Sequence, residues 1–252
     1  MIEAKCQDTA QGAILFDAAV LAQAGVAEFD PAWFDAAFWR AQQRSRDVRG
    51  GRGNVTFVDA PFGACVIRHY RRGGMVANLF GDNYLWTGAT RSRAFAEFRL
   101  LSKLCELGLD VPPPVAARYE RNGFSYRADL ITRRIENAPT LADVLVAHRC
   151  TDDMAERVGT TLAAFHRAGA FHADLNAHNI LVGDDKIWII DFDRGRLRVP
   201  TERWRRRNLQ RLHRSLVKIS NGADVTNVWS RLLQSYERAF ATEAPAWRSV
   251  RT

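Results

Sequence analysis

Hydrophobic and polar positions follow two different periods along this chain. From residue 1 to about 45 the pattern reads as helical, with Asp30 and Pro31 offering a cap and a first-turn proline before AWFDAAFWRAQQR. The period then shortens. NVTFVDAPFGACVIRHY holds two β-rich runs separated at Pro61-Phe62-Gly63, which predicts a hairpin. RAFAEFRLLSKLCELG returns to helical spacing, with Phe95, Phe98, Leu101 and Leu104 as its apolar stripe and Gly108 as its stop. Beyond the break at Pro112 to Pro114, VAARYERNGFSYRADLITRRI predicts a second hairpin that turns at Asn122-Gly123.

The second half is mainly helical. DDMAERVGTTLAAFHRAG has the spacing and terminal glycine of a buried amphipathic helix. Two short apolar strands, Leu181-Val182 and Ile187 to Ile190, flank a Gly183-Asp184-Asp185 turn, and from Arg203 the chain is helical again. The expectation is an α+β protein of three parts: a helical extension over residues 1–45, a β-rich lobe over 46–136 and an α-rich lobe over 137–252. No internal repeat or low-complexity tract interrupts that order.

A chain of 252 residues that is 47% hydrophobic can bury the core such a division needs, which excludes a disordered protein. Cys6, Cys65, Cys105 and Cys150 stand far apart with no C-x-x-C pair, so reduced, core-like thiols are expected rather than a disulfide framework or a zinc site. Asp17 interrupts the apolar stretch near the start and Glu3 opposes Lys5, against a secretory signal. No segment reaches about 18 uncharged apolar residues, so no transmembrane span is expected and the protein should stay in the cytoplasm. The formal charge of +8 comes almost wholly from arginine, lysine occurring only at positions 5, 103, 186 and 218. That balance suits an anionic partner, whether nucleic acid, a phosphorylated substrate or an acidic membrane face.

The stretch FHADLNAHNILV narrows the choice. Phosphoryl transfer to a hydroxyl needs a carboxylate to orient and deprotonate the nucleophile, and oxygen ligands that hold magnesium against a triphosphate. A loop Asp followed five residues later by Asn, then a strand hairpin ending in Asp, is the arrangement kinases use. Asp174 fits the base, and Asn179 and Asp191 the metal ligands.

ADLNAHNILV and IDFDRG, preceded by GRGNVTFV and VIRHYRRGG, resemble the lipopolysaccharide core kinases from about Arg49 to Leu216. The resemblance implies a bilobal protein-kinase-like fold that uses ATP and Mg2+. It further implies a peripheral enzyme at the cytoplasmic face of the inner membrane, phosphorylating the 4-hydroxyl of 3-deoxy-D-manno-octulosonic acid (Kdo) on a lipid A precursor.

Within that frame Gly51 and Gly53 are candidates for the glycine-rich phosphate loop. The following strand should present a cation paired with a helix glutamate, yet no lysine lies between Lys5 and Lys103. Arg68 stands in the expected place with Glu97 as its partner, a swap that keeps charge and changes geometry. His172 is read as packing under the metal-binding Asp, since its spacing to His178 fits no zinc pattern. Asp193, at the position of the glycine in D-F-G, is a supporting candidate near the metal.

After Asp193 the chain moves almost directly into a helix, leaving little room for a peptide platform, so a small or sugar acceptor is favoured over a protein. That helix is strongly basic, and Arg205, Arg206 and Arg207, with Arg71 and Arg72 elsewhere, are candidate contacts to an anionic substrate or an anionic membrane surface. Neither nucleic acid nor an obligate protein partner is expected. The alternatives are a heptose or other small-molecule kinase, and a noncatalytic kinase-like module binding nucleic acid or protein. A small-molecule kinase for an amine or antibiotic usually wants an acidic acceptor pocket for its cationic substrate, whereas this chain is basic around the expected site; a noncatalytic module has no use for Asp174, Asn179 and Asp191 together.

Overall fold

The computed structural model describes residues 2–48, 55–70, 84–220 and 225–242. They fall into two compact units, Met1–Ser102 with Pro112–Arg134, and Lys103–Val111 with Ile135–Thr252.

The first unit is built on an antiparallel sheet of eight strands. In chain order these are β1 (Ala4–Thr9), β2 (Gly12–Asp17), β3 (Ser45–Val48), β4 (Val55–Ala60), β5 (Gly63–His69), β6 (Tyr84–Leu85), β7 (Pro114–Asn122) and β8 (Ser125–Arg133). Their spatial order is β1-β2-β7-β8-β5-β4-β3, with β6 also on β8. Both predicted hairpins form. In the second, Asn122 pairs with Ser125, so the turn is centred on Gly123 and Phe124, and Gly123 takes φ +57°, a left-handed conformation that costs glycine nothing.

The helical reading of residues 1–45 is corrected by the structure. β1 and β2 extend the sheet, β2 lying between β1 and β7. The run Ala13–Asp17 is buried throughout, and a short continuous apolar run cannot be told from a helix by period alone. Two short helices follow, α1 (Ala18–Gln23) and α2 (Ala36–Ala41). The proline start is real: the Asp30 carboxylate accepts from the Ala32 N–H at 2.8 Å, opening a 3-10 turn over Pro31–Phe34. Asp35 then caps α2 afresh, so AWFDAAFWRAQQR is two short pieces rather than one helix.

Phe29, Trp33, Phe34 and Trp39 from this segment pack into one core with Ile14, Phe16, Cys65, Ile67 and Ile131 of the sheet. The Phe29 ring lies 4.9 Å from Trp33 and 5.3 Å from Phe34, and the Trp39 indole N–H donates to the Trp33 carbonyl. Side chains alternate across a strand, so Cys65 and Ile67 turn into this core while Arg68 points to the other face. Helix α3 (Arg93–Glu106) forms as its stripe predicts, with Phe95, Phe98, Leu101 and Leu104 buried, and Gly108 at φ +71° ends it.

The second unit is mainly helical: α4 (Leu141–Val146), α5 (Asp152–Arg167), α6 (Glu202–Ile219) and α7 (Thr226–Thr242). Between α5 and α6 run four short strands, β9 (Ala170–Phe171), β10 (Ile180–Val182), β11 (Ile187–Ile189) and β12 (Arg196–Leu197). β10 pairs with β11 and β12 with β9, so the segment 172–195 is held by two ladders. Gly159 lets α5 and α7 meet closely, since a Cβ there would lie 2.2 Å from the Leu232 carbonyl oxygen. Among the described residues no helix is long and apolar enough to cross a membrane.

Candidate active site

The segment between β9 and β10 is shaped by its own polar residues. The Asp174 N–H donates to His172 Nδ1 (3.1 Å), and His172 Nε2 donates to the Ile190 carbonyl (2.9 Å). Nδ1 therefore accepts and Nε2 carries the proton, so the imidazole sits as the neutral Nε2–H tautomer. It is buried edge-on against Phe192, with ring centroids 4.8 Å apart. A side chain with both nitrogens committed to backbone is a brace, tying Asp174 to the residue that precedes Asp191.

Asn179 makes the second tie. Its Nδ2 donates to the Asp174 carbonyl (3.0 Å), while its own carbonyl accepts from the Ile190 N–H (3.0 Å), continuing the β10–β11 ladder by one pair. Its Oδ1 accepts no hydrogen bond from the described residues. Asp191 follows directly at φ +62°, the left-handed region a side chain rarely occupies. That bend ends β11 and leaves Asp191 exposed while Phe192 is buried beside Phe165, their rings stacked at 5.9 Å. Asp174, Asn179 and Asp191 are thus brought together by backbone bonds. An amide and a carboxylate are hard oxygen donors of the kind magnesium accepts alongside phosphate oxygens. Asp193 is half-buried in the same bend.

Helix α6 supports the loop from below. The Asn208 side chain accepts from the His172 N–H and donates to the His172 carbonyl (2.9 Å), and Ser215 Oγ accepts from the Ala177 N–H (3.1 Å). Neither residue is singled out by motif. Their signal is polarity within the stripe Trp204, Leu209, Leu212 and Leu216, whose apolar members are buried as expected.

Arg211, on the same helix, forms an ion pair with Asp174 through Nη1 and Oδ1. Asp174 is 61% exposed, and its Oδ2 accepts no hydrogen bond from the described residues. One carboxylate oxygen is therefore held and the other stands open.

Of the other basic candidates, Arg205 is corrected. It turns inward, lying over the Phe240 ring at 3.9 Å and donating to the Tyr236 hydroxyl at 2.9 Å. It follows Trp204 on the buried side of the helix, where stacking on an aromatic ring compensates for lost water. Arg206 and Arg207 stay exposed, and Arg206 pairs with Glu202. His166 sits behind them, bonded to the Tyr236 hydroxyl at 2.9 Å. Burial, with the Arg205 charge, pushes its pKa down to about 3.

In the first unit Arg68 and Glu97 form the expected pair, Arg68 Nη2 meeting Glu97 Oε2. Tyr70 completes it, accepting from Arg68 Nη2 (3.0 Å) and donating to the same Glu97 oxygen (2.6 Å). Burial, then the neighbouring Glu97 carboxylate, raises the Tyr70 pKa well above its ordinary value, so its hydroxyl stays a donor. Gly51, Gly53, Arg71 and Arg72 lie outside the described residues.

A second network, absent from the motif reading, sits across β5, β7 and β8. Asp129 is buried between His69 (Nδ1 to Oδ1, 2.6 Å) and a two-pronged Arg118 (3.0 and 2.8 Å). Its three residues come from three strands, so no local spacing reveals it.

Residues 36–236 match the model of the lipopolysaccharide kinase (Kdo/WaaP) family. The chain is 51% identical over 236 residues to a 3-deoxy-D-manno-octulosonic acid kinase of Xanthomonas campestris pv. campestris (strain B100), an alignment covering 91% of each protein. It is 49% identical over 234 residues, again with 91% of each covered, to a protein of the same name from Stenotrophomonas maltophilia (strain K279a). Among solved structures, WaaP in complex with acyl carrier protein superposes with a TM-score of 0.56 at 19% identity, covering 89% of this chain and 88% of that one. That likeness concerns the fold.

Proposed function

This chain belongs to the lipopolysaccharide kinase (Kdo/WaaP) family and is a phosphotransferase that acts on a hydroxyl group; on that premise we propose that it transfers the γ-phosphoryl group of ATP to the 4-hydroxyl of Kdo on a lipid A precursor. The observation that carries the reading is the Asp174 carboxylate, exposed, held at one oxygen by Arg211 and open at the other. Relatives about half identical over nine-tenths of the chain support the choice of sugar.

In the proposed reaction Asp174 Oδ2 accepts the hydroxyl proton as the sugar oxygen attacks the γ-phosphorus. The new O–P bond forms as the bond from phosphorus to the β–γ bridging oxygen breaks, and ADP leaves with that oxygen. His172 and Asn179 hold the Asp174 backbone, so the carboxylate does not have to be ordered during the reaction. Asn179 Oδ1 and Asp191 would hold Mg2+, which supplies charge neutralisation on the phosphates; Asp193 supports that end of the site. Arg68, oriented by Glu97, is the cation proposed for the nucleotide phosphates, and Gly51 and Gly53 are proposed as the glycine-rich phosphate loop.

A peripheral place at the cytoplasmic face of the inner membrane follows from such a substrate. Its support here is the exposed basic surface of α6.

The test is mass spectrometry of a Kdo-bearing lipid A precursor after incubation with the full chain, ATP and Mg2+. The wild type should add one phosphate. Asp174→Asn should lose at least about a thousandfold in turnover while still binding ATP. Wild-type activity in that variant refutes the base assignment, and no transfer by the wild type refutes the acceptor.

A further inference from the structure

Helix α6 advances about 100° per residue, which gathers Arg203, Arg207, Arg211, Arg214 and Lys218 into a single sector about 80° wide. All five are exposed, and that sector contains no acidic residue. Arg206, by contrast, lies outside it and is balanced by Glu202 one turn back. Neighbours at i,i+3 and i,i+4 within the sector repel one another by a few tenths of a kcal/mol per pair, a cost that an ordinary surface helix relieves with interspersed carboxylates. Here Arg203, Arg207, Arg214 and Lys218 make no ion pair with a described residue, and among the described residues the one carboxylate the ridge pairs with is Asp174, through Arg211.

The ridge is therefore anchored at the residue that faces the acceptor hydroxyl. Arg211 spends one guanidinium N–H on Asp174 Oδ1 and is 48% exposed, so the rest of its planar fork is open to a second anion beside the base. An anion bound there is held within one side chain's reach of the reacting oxygen. That geometry fits a carboxylate on the acceptor itself, and Kdo carries one two ring carbons away from C4.

Resting on the reading above, we propose that Arg211, flanked by Arg207 and Arg214, binds the carboxylate of the acceptor sugar and thereby lays its hydroxyl against Asp174 Oδ2. Arg211 is then a specificity residue: it bridges the acidic group that identifies the substrate and the carboxylate that takes its proton. Arg205, turned inward on Phe240, takes no part, and Arg203 and Lys218 extend the same field along the helix toward further anionic groups of the acceptor.

The experiment compares two acceptors, the Kdo-bearing lipid A precursor and the same molecule with its Kdo carboxylate methyl-esterified, with wild-type protein, Arg211→Ala, Arg211→Lys and Arg207→Ala. The wild type should prefer the free acid by about 10-fold to 100-fold in kcat/KM, the scale of a lost charge-assisted hydrogen bond, with most of the change in KM. Arg211→Ala should act equally slowly on both acceptors. Arg211→Lys should recover part of the preference, and Arg207→Ala, which leaves the Asp174 contact in place, should lose only part of it.

A wild type that handles acid and ester alike overturns the inference while leaving the kinase reading standing. Preference retained in Arg211→Ala overturns it too. A wild type that prefers the acid while Arg211→Ala loses the same factor on both assigns Arg211 to the transferred phosphoryl group and likewise overturns it. No transfer to either acceptor by the wild type removes the sugar-kinase reading, and this inference with it.

Discussion

In the sheet unit Arg68 meets Glu97 with the glutamate only 3% exposed, whereas in the helical unit Arg211 meets Asp174 with side chains 48% and 61% exposed. Both pairs join a guanidinium to a carboxylate, but Tyr70 completes the first and donates to the same oxygen Arg68 uses, while the second leaves Asp174 Oδ2 open. Burial with a third partner suits an arginine that is to be presented in one fixed direction. Exposure with an unfilled oxygen suits a carboxylate that must exchange its neighbour for substrate. Identical chemistry thus closes on itself in one unit and stays open in the other, and solvent access makes the difference.

The largest effect expected from breaking that contrast is in Arg68→Ala. It removes the cation from the buried Glu97 carboxylate, and urea denaturation should show a loss of about 3–5 kcal/mol together with weaker ATP binding. Unchanged stability and ATP affinity would refute the role given to this pair.

The two units should also fail at opposite ends of the pH scale. His166, whose pKa is pushed down to about 3 from an ordinary 6.5, stays neutral in the folded chain while the unfolded chain takes up a proton. Its contribution is complete above about pH 6.5 and is lost as pH falls toward 3. His166→Gln should lower stability by roughly 1–3 kcal/mol at pH 7, since the Tyr236 hydroxyl loses the buried imidazole it bonds and keeps only Arg205, and should flatten the decline below pH 6. An acid-side slope identical to wild type would contradict this.

Tyr70 works the other way. Its folded pKa lies above 10, so its contribution is present below that value and is lost as pH rises and the unfolded phenol ionises first. Tyr70→Phe should cost about 1–2 kcal/mol at neutral pH and reduce the fall in stability above pH 10, as monitored by circular dichroism in alkaline titrations. The smallest effect belongs to the exposed pair. A double-mutant cycle on Arg211 and Asp174 should give a stability coupling below about 1 kcal/mol, and a larger value would mean that the pair braces the fold.

How much of this was legible in the sequence varied with the range of the interaction. That Asp174, Asn179 and Asp191 come together was legible because the loop that carries them is short and its spacing reflects local backbone geometry. The strands of both hairpins and helix α3 were legible for a similar reason, since each period repeats within one element. Arg68 was found by the lack of a lysine, and Glu97 by its place on the next helix. The first 45 residues misled, because the buried run Ala13–Asp17 has no alternation to show that both faces of β2 are covered. Arg205 misled as well: composition counts it with its neighbours, and its inward turn depends on Phe240 and Tyr236 from another helix.

By itself the sequence determined which groups are available: the carboxylates of Asp174 and Asp191, the Asn179 amide, a strand arginine and a helix crowded with arginines. Each of those follows from residue type and near-neighbour spacing, which survive without a fold. Only the tertiary structure decided which groups meet. Tyr70 joining Arg68 and Glu97, Asn208 and Ser215 propping the loop between β9 and β10, and Arg211 reaching Asp174 across 37 positions all depend on elements distant in sequence packing together. The direction in which a helical side chain points can be read from its period, but what it finds there is set by packing.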